Sequence, residues 1–166
     1  LASGEILEYS NDNGTSWSDI SGAVSGTAIT YADAALTSST TIQLRVSDAA
    51  GNSGAAASQL ISIDTTAPST TVTIDSISED SGFFGSDFIT NDDDGLTISA
   101  TLSAALASGE ILEYSNDNGT SWIDISESVS GTAVTYADAA LTSSATIQLR
   151  VSDAAGNSGA AASQRI

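Results

Sequence analysis

The chain has 166 residues, with 21 acidic side chains against three arginines, no lysine and no histidine, for a formal net charge of −18. That balance excludes nucleic acid as a partner, because recognition of phosphate needs a basic footprint, and it disfavours docking on an anionic membrane surface. There is no cysteine, so disulfides do not staple the fold; no apolar run approaches the ~20 residues of a membrane-spanning helix.

Residues Leu1 to Ile61 return as Leu106 to Ile166 with only six differences in 61 positions, at a spacing of 105 residues. A period this long is a whole small domain, not one turn of a solenoid. The first copy, residues 1–63, is the C-terminal part of one repeat and lacks its first two strands, so upstream sequence is expected. Residues 64–68 (Asp64-Thr65-Thr66-Ala67-Pro68) read as a short linker, in which the only proline fixes φ. Residues 69–166 read as a complete repeat.

In that repeat, apolar and polar residues alternate, which is the signal of half-buried strands. Thr70 to Ile77 puts Val72 and Ile74 on one face. An acidic loop, Ser78 to Gly95, follows. Leu96 to Leu102 turns Leu96, Ile98, Ala100 and Leu102 inward. Glu110 to Ser115 buries Leu112 and Tyr114. Asn116-Asp117-Asn118-Gly119 carries the Asn-Gly signal of a tight hairpin, with Trp122 on the return strand as a core or edge anchor. Ala133 to Ala137 buries Val134 and Tyr136, and Thr146 to Ser152 buries Ile147, Leu149 and Val151. By analogy with Gln59 to Ile63, a last strand follows Gln164. The Ala-rich pieces are too short for helices. About seven short strands in roughly 100 residues predict an all-β, immunoglobulin-like Greek-key β-sandwich. Of the six differences, Leu60 to Arg165 predicts a solvent-facing position, and Ile29 to Val134 a core one.

Strands that alternate direction send successive loops to opposite poles. The Asp153 loop and Glu110 belong to the entry pole. The loop 78–95, the Asp117 hairpin and the turn near Asp138 belong to the exit pole. Where one repeat meets the next, Asp64 and the loops of Asp12 and Asp33 are then expected to approach Asp153 and Asn157. Carboxylates and amide carbonyls are the hard oxygen ligands that Ca²⁺ takes, and a cation would offset their repulsion. A second candidate is the acidic loop itself, with Glu79, Asp80, Asp87, Asp92, Asp93 and Asp94, pinned by Phe83, Phe84, Phe88 and Ile89. The competing readings are a solvated acidic face and a loop of Asx-turns. Tyr114, Trp122 and Tyr136 read as packing residues, with a carbohydrate platform as the alternative. Arg45 and Arg150 read as exposed strand residues paired with nearby carboxylates. No Ser-His or Cys-His nucleophile exists, so catalysis is not expected.

The segments SISEDSGFFGSDFITND (76–92), EYSNDNGTSW (113–122), YADAALTSSATIQLRVSDAAGNSG (136–159) and IDTTAP (63–68), repeated at this period, resemble the immunoglobulin-like extender repeats of giant repeats-in-toxin adhesins of Gram-negative marine bacteria, a family that includes ice-binding adhesins. The resemblance implies type I secretion, anchoring at the outer membrane, and an extracellular monomeric array whose neighbouring repeats and calcium ions are its partners. It implies that the array holds a distal ligand-binding region away from the cell. It places calcium ligands, in type, at Asp64, in the loops of Asp48 with Asn52 and Asp153 with Asn157, and between Glu79 and Asp94. The glycine-rich nonapeptide repeats of that family are absent here, so neither ice binding nor ligand capture is expected of this stretch.

Overall fold

A computed structural model describes all 166 residues. The chain is all-β, built of antiparallel sheets, and divides into two compact units, Leu1–Asp64 and Thr65–Ile166. Residues 65–68 therefore lie with the second unit, where the Pro68 carbonyl closes over Gly159.

The first unit holds β1 (Ile6–Ser10), β2 (Ser18–Asp19), β3 (Val24–Ser25), β4 (Ala28–Ile29), β5 (Thr40–Ser47) and β6 (Ala57–Ile61). Four of them form one sheet in the order β2-β1-β5-β6, while β3 and β4 pair only with each other. Its core is small: Leu7, Tyr9 and Ile20 are buried, with Ile42 and Leu44 partly so.

The second unit holds β7 (Val72–Ile77), β8 (Leu96–Leu102), β9 (Ile111–Ser115), β10 (Ile123–Asp124), β11 (Val129–Ser130), β12 (Ala133–Asp138), β13 (Thr146–Ser152) and β14 (Ala162–Arg165). These make two four-stranded sheets, β11-β12-β8-β7 and β10-β9-β13-β14. Alternation decides the burial. Leu96, Ile98, Ala100 and Leu102 from one sheet, and Leu112, Tyr114, Ile147, Leu149 and Val151 from the other, enter a single shared core. Two facing sheets enclosing one apolar layer is a sandwich-like solution to burying one face of each. The register of β8 on β12 sets Leu96 against Asp138 and Thr101 against Ala133. On the other side β7 slips between Ile74 and Ser76, which leaves Asp75 as the extra residue of a bulge.

Several expectations need correction. The Asn-Gly signal predicts a tight hairpin, but β9 and β10 resume pairing only at Tyr114 with Ile123, so the connection runs through residues 116–122. The last strand begins at Ala162, before Gln164. Two strands of two residues, β10 and β11, and a single 3₁₀ turn at Ser126–Ser128 carry no alternation signal. Arg165 and its counterpart Leu60 are exposed, as expected. Val134 is buried, whereas its counterpart Ile29 is exposed, because residues 1–64 contain no equivalents of β7 and β8 to cover it.

Candidate functional site

The exit-side loops of the second unit gather around buried Asp138. Tyr114 Oη donates to Asp138 Oδ2 at 2.9 Å, Asn116 Nδ2 donates to the same oxygen at 2.9 Å, and the Ala140 amide donates to Oδ1 at 2.9 Å. Burial, then this hydrogen bond to a carboxylate, pushes the Tyr114 hydroxyl pKa far up. In the first unit Asp33 takes the same bonds from Tyr9, Asn11 and Ala35. The Asn11 amide is the main reason the Asp33 carboxyl lies below the ordinary carboxylate range, and Tyr9, desolvated and facing Asp33, is pushed up to about 12.

Asp117 closes the 116–122 connection. Ser121 donates its hydroxyl to Oδ2 at 2.6 Å and its amide to Oδ1 at 2.9 Å, and Ser115 Oγ donates to Oδ1 at 2.7 Å. Asn118 and Gly119 take φ of 60° and 82°, the left-handed region that Asn and Gly tolerate. Asp12 holds the same bonds from Ser16 and Ser10. The Ser121 hydroxyl, followed by its amide and Ser115, holds Asp117 at about 2, and Ser16 does the same for Asp12. The folded pKa is depressed, so this contribution is present above the unfolded pKa near 4 and is lost as pH falls toward about 2. The melting-temperature difference between the native chain and Asp117→Ala is therefore expected to be full at pH 6 and to shrink between about pH 4 and pH 2. A difference that stays constant down to pH 2 would remove this role.

The entry-side loop is closed by its own acid. Asp153 Oδ1 accepts the Ala155 and Asn157 amides, each at 2.9 Å, and Oδ2 accepts Asn157 Nδ2 at 2.9 Å. The Asn157 side chain is the largest cause of the lowered Asp153 pKa. Asp48 and Asn52 repeat the pattern, and the Asn52 side chain is the largest cause there too. Glu110 sits beside this loop, with Gly109 facing Ala154. Asp64 is exposed at the end of the first unit.

The loop 78–95 differs from these closed turns. Asp80 Oδ2 accepts the Phe88 amide at 3.1 Å, but Asp80 Oδ1 is buried with no hydrogen-bond partner. Asp87 Oδ1 caps the Ile89 amide at 3.1 Å, and Asp92 Oδ1 accepts the Asp94 amide at 3.1 Å. Asp92 raises the Asp94 pKa, first by hydrogen bonding and then by charge, and Asp93 and Glu79 add to the repulsion. Glu79 and Phe88 take positive φ, and Thr90 Oγ1 donates to the Glu79 carbonyl. Only Phe88 packs on the core. Phe83, Phe84 and Ile89 are exposed, so three of the four expected pins do not hold the loop. Phe83 and Phe84 meet edge to face instead, with centroids 4.9 Å apart. The loop forms a concavity of about 650 Å³ with residues 141–144, Arg165 and Ile166.

The poles thus collect the loops as alternation predicts, yet no three acidic side chains stand together in a group that could hold a metal ion. What sequence reasoning missed is how far each Asp is engaged by Ser, Asn and amide donors of its own loop. The S-x-D-x-x-x-S spacing around Asp117 was the available signal.

Charge on the sheet face is also more organised than expected. Arg150 Nε donates to Glu113 Oε2 at 2.8 Å while its guanidinium lies 3.9 Å from the Trp122 ring centroid. Trp122 Nε1 donates to the Gly119 carbonyl at 3.1 Å, and Ser152 Oγ donates to Glu113 at 2.6 Å. Arg45, Glu8, Trp17 and Ser47 repeat the group. Trp122 is an edge anchor under an arginine, which takes up one face that a sugar would stack on.

Compared with protein-family models and with curated protein sequences, the chain matches none.

Proposed function

We propose that this chain is a stretch of calcium-stiffened extender domains from a large bacterial surface adhesin. The observation that carries the reading is the return of a 61-residue stretch at 105 residues with six changes, its carboxylates concentrated in polar loops and almost no basic residues to balance them. Near-identical domains in series supply length. The strand order, β11-β12-β8-β7 over β10-β9-β13-β14, supports an immunoglobulin-like Greek-key assignment for the repeat.

The residues fit Ca²⁺ by chemistry. Their donors are hard oxygens. Asp80 carries a buried carboxylate oxygen without a partner, and Asp92, first through a hydrogen bond and then through its charge, raises the Asp94 pKa. Asp80, with Glu79, Asp92 and Asp94, would draw together around an ion within a repeat, since no three acidic side chains form such a group without one. Asp64, Asp153 and Asn157, with the loops of Asp12, Asp33, Asp48 and Asn52, are the residues proposed to share ions between repeats. Calcium would supply the positive charge that lets these carboxylates lie close. The array would stand outside the cell, carry a distal binding region, and have no catalytic role.

An ion that binds the folded state alone stabilises it by mass action, about 2.7 kcal/mol at a hundred times its dissociation constant. Calorimetry in millimolar calcium and after chelation is expected to show a melting temperature several degrees higher with the ion. The substitution Asp80→Asn should remove part of that difference. Identical melting curves in the two buffers would end the calcium reading.

A further inference from the structure

Asn13-Gly14 and Asn118-Gly119 are the chain's only Asn-Gly pairs, and we infer that the buried serines Ser10 and Ser115 shield them from spontaneous deamidation, a modification to which this dipeptide is especially prone. This stands independently of the calcium reading. Asn-Gly is reactive because glycine has no side chain to hinder its own backbone nitrogen. That nitrogen gives its proton to solvent base and attacks the Asn Cγ. An N–Cγ bond forms, the side-chain nitrogen leaves as ammonia, and a five-membered succinimide results. Water then opens the ring at either carbonyl, giving Asp or isoaspartate. Isoaspartate carries an extra methylene in the main chain, inside the turn that joins β9 to β10.

The turn needs the pair despite this hazard. Asn118 and Gly119 take consecutive φ values of 60° and 82°, and Asn13 and Gly14 take 59° and 83°, a combination few other residues tolerate. Asn13 and Asn118 are exposed, so water and base reach them. The barrier is local. The Gly119 amide, which is the nucleophile, donates to Ser115 Oγ at 2.9 Å, and the Gly14 amide donates to Ser10 Oγ at 2.8 Å. Both serines are 2% exposed. Each hydroxyl donates its own proton to an acid, Asp117 or Asp12, at 2.7 Å, which leaves its lone pairs for the glycine amide. To react, that amide must break its bond and turn toward Cγ, and a buried hydroxyl oxygen loses a donor. The electrophile is held as well. Gln148 Nε2 donates to Asn118 Oδ1 at 3.2 Å, as Gln43 does to Asn13. Nucleophile and electrophile are thus tethered to different strands, β9 through Ser115 and β13 through Gln148.

The two copies serve as controls for one another. The 166-residue chain and a synthetic peptide of residues 113–122 would be held side by side in warm, mildly alkaline buffer, and deamidation at each Asn followed by peptide mass spectrometry. Asn118 in the folded chain is expected to react about tenfold or more slowly than in the peptide. Ser115→Ala should restore most of the peptide's rate at Asn118 while Asn13 in the same molecule stays slow, and Ser10→Ala should do the reverse. Asp124→Ala, which removes the bonds to Ser126 elsewhere in the second unit, should leave the Asn118 rate unchanged. Trp122 fluorescence checks that each variant remains folded. Equal rates in chain and peptide would overturn the inference without any variant. So would a folded Ser115→Ala chain that reacts no faster than the native one. Acceleration by Asp124→Ala as large as by Ser115→Ala would also overturn it, because the protection would then come from the stability of the whole unit and not from the serine.

Discussion

Truncating Leu149 to alanine is expected to cost the second unit about 2–5 kcal/mol of unfolding free energy, the range for a large aliphatic side chain removed from a closed core. Leu149 lies at the centre of β13, pairs with Tyr114 on one side and Ala162 on the other, and is almost wholly enclosed by both sheets. The chain contains its own control. Leu44 has the same neighbours in sequence, pairs with Tyr9 and Ala57, and is only partly buried, because nothing in residues 1–64 covers that face. Leu44→Ala should cost less than half as much. The two tryptophans separate the readouts: Trp17 reports the first unit and Trp122 the second. Denaturant unfolding of Leu149→Ala in a Trp17→Phe background, followed by fluorescence, gives the large effect directly. Equal losses at Leu44 and Leu149 would mean that the second sheet does not close the core as described.

The second large effect belongs to Gly95, where the acidic loop enters β8. Its φ of +106° lies where side chains are disfavoured, and a Cβ there would stand 2.7 Å from the Ala139 Cα and 3.1 Å from the Asp138 carbonyl. Both obstacles are backbone, so no side chain can move aside. Gly95→Ala must either shift β8 away from β12 at the Leu96–Asp138 pair or displace the turn that holds Asp138. Backbone strain of about 1–3 kcal/mol adds to an overpacking cost of about 1–3 kcal/mol, for an expected total of about 2–6 kcal/mol. Gly131 is the matched comparison, with φ of +63° and nothing within 4 Å of its Cβ position. Gly131→Ala should cost only about 1 kcal/mol. Thermal melts of the two variants decide it; a Gly95→Ala chain as stable as Gly131→Ala would show that the loop and the turn do not approach this closely.

The strands at Leu96–Leu102 and Thr146–Ser152 were legible because each buries one face and solvates the other, so alternation in sequence is alternation in space. The same rule placed Leu112, Tyr114 and Val134 correctly. It said nothing of Ile123–Asp124 or Val129–Ser130, whose two-residue pairings are imposed by the strands beside them. It misjudged the Asn-Gly turn because a local rule for two-residue hairpins ignores Asp117, which organises a longer connection through Ser115 and Ser121. The candidate site was half legible. Acidic residues and their poles follow from sequence and connectivity. Which donors engage each carboxylate does not, since Tyr114 and Asp138 are 24 residues apart and meet only after the two sheets close. The loop 78–95 shows the limit most clearly: its four large apolar residues look equivalent in sequence, yet only Phe88 reaches the core.

If calcium stiffens the repeats as proposed, it changes the distances between them, and small-angle X-ray scattering of the 166-residue chain measures that change. In millimolar calcium a narrow distance distribution with a fixed maximum dimension is expected. After chelation the distribution should broaden and the mean end-to-end distance shorten, both restored when calcium is returned. Superimposable curves with and without the ion, from a chain whose domains remain folded in both, would contradict it.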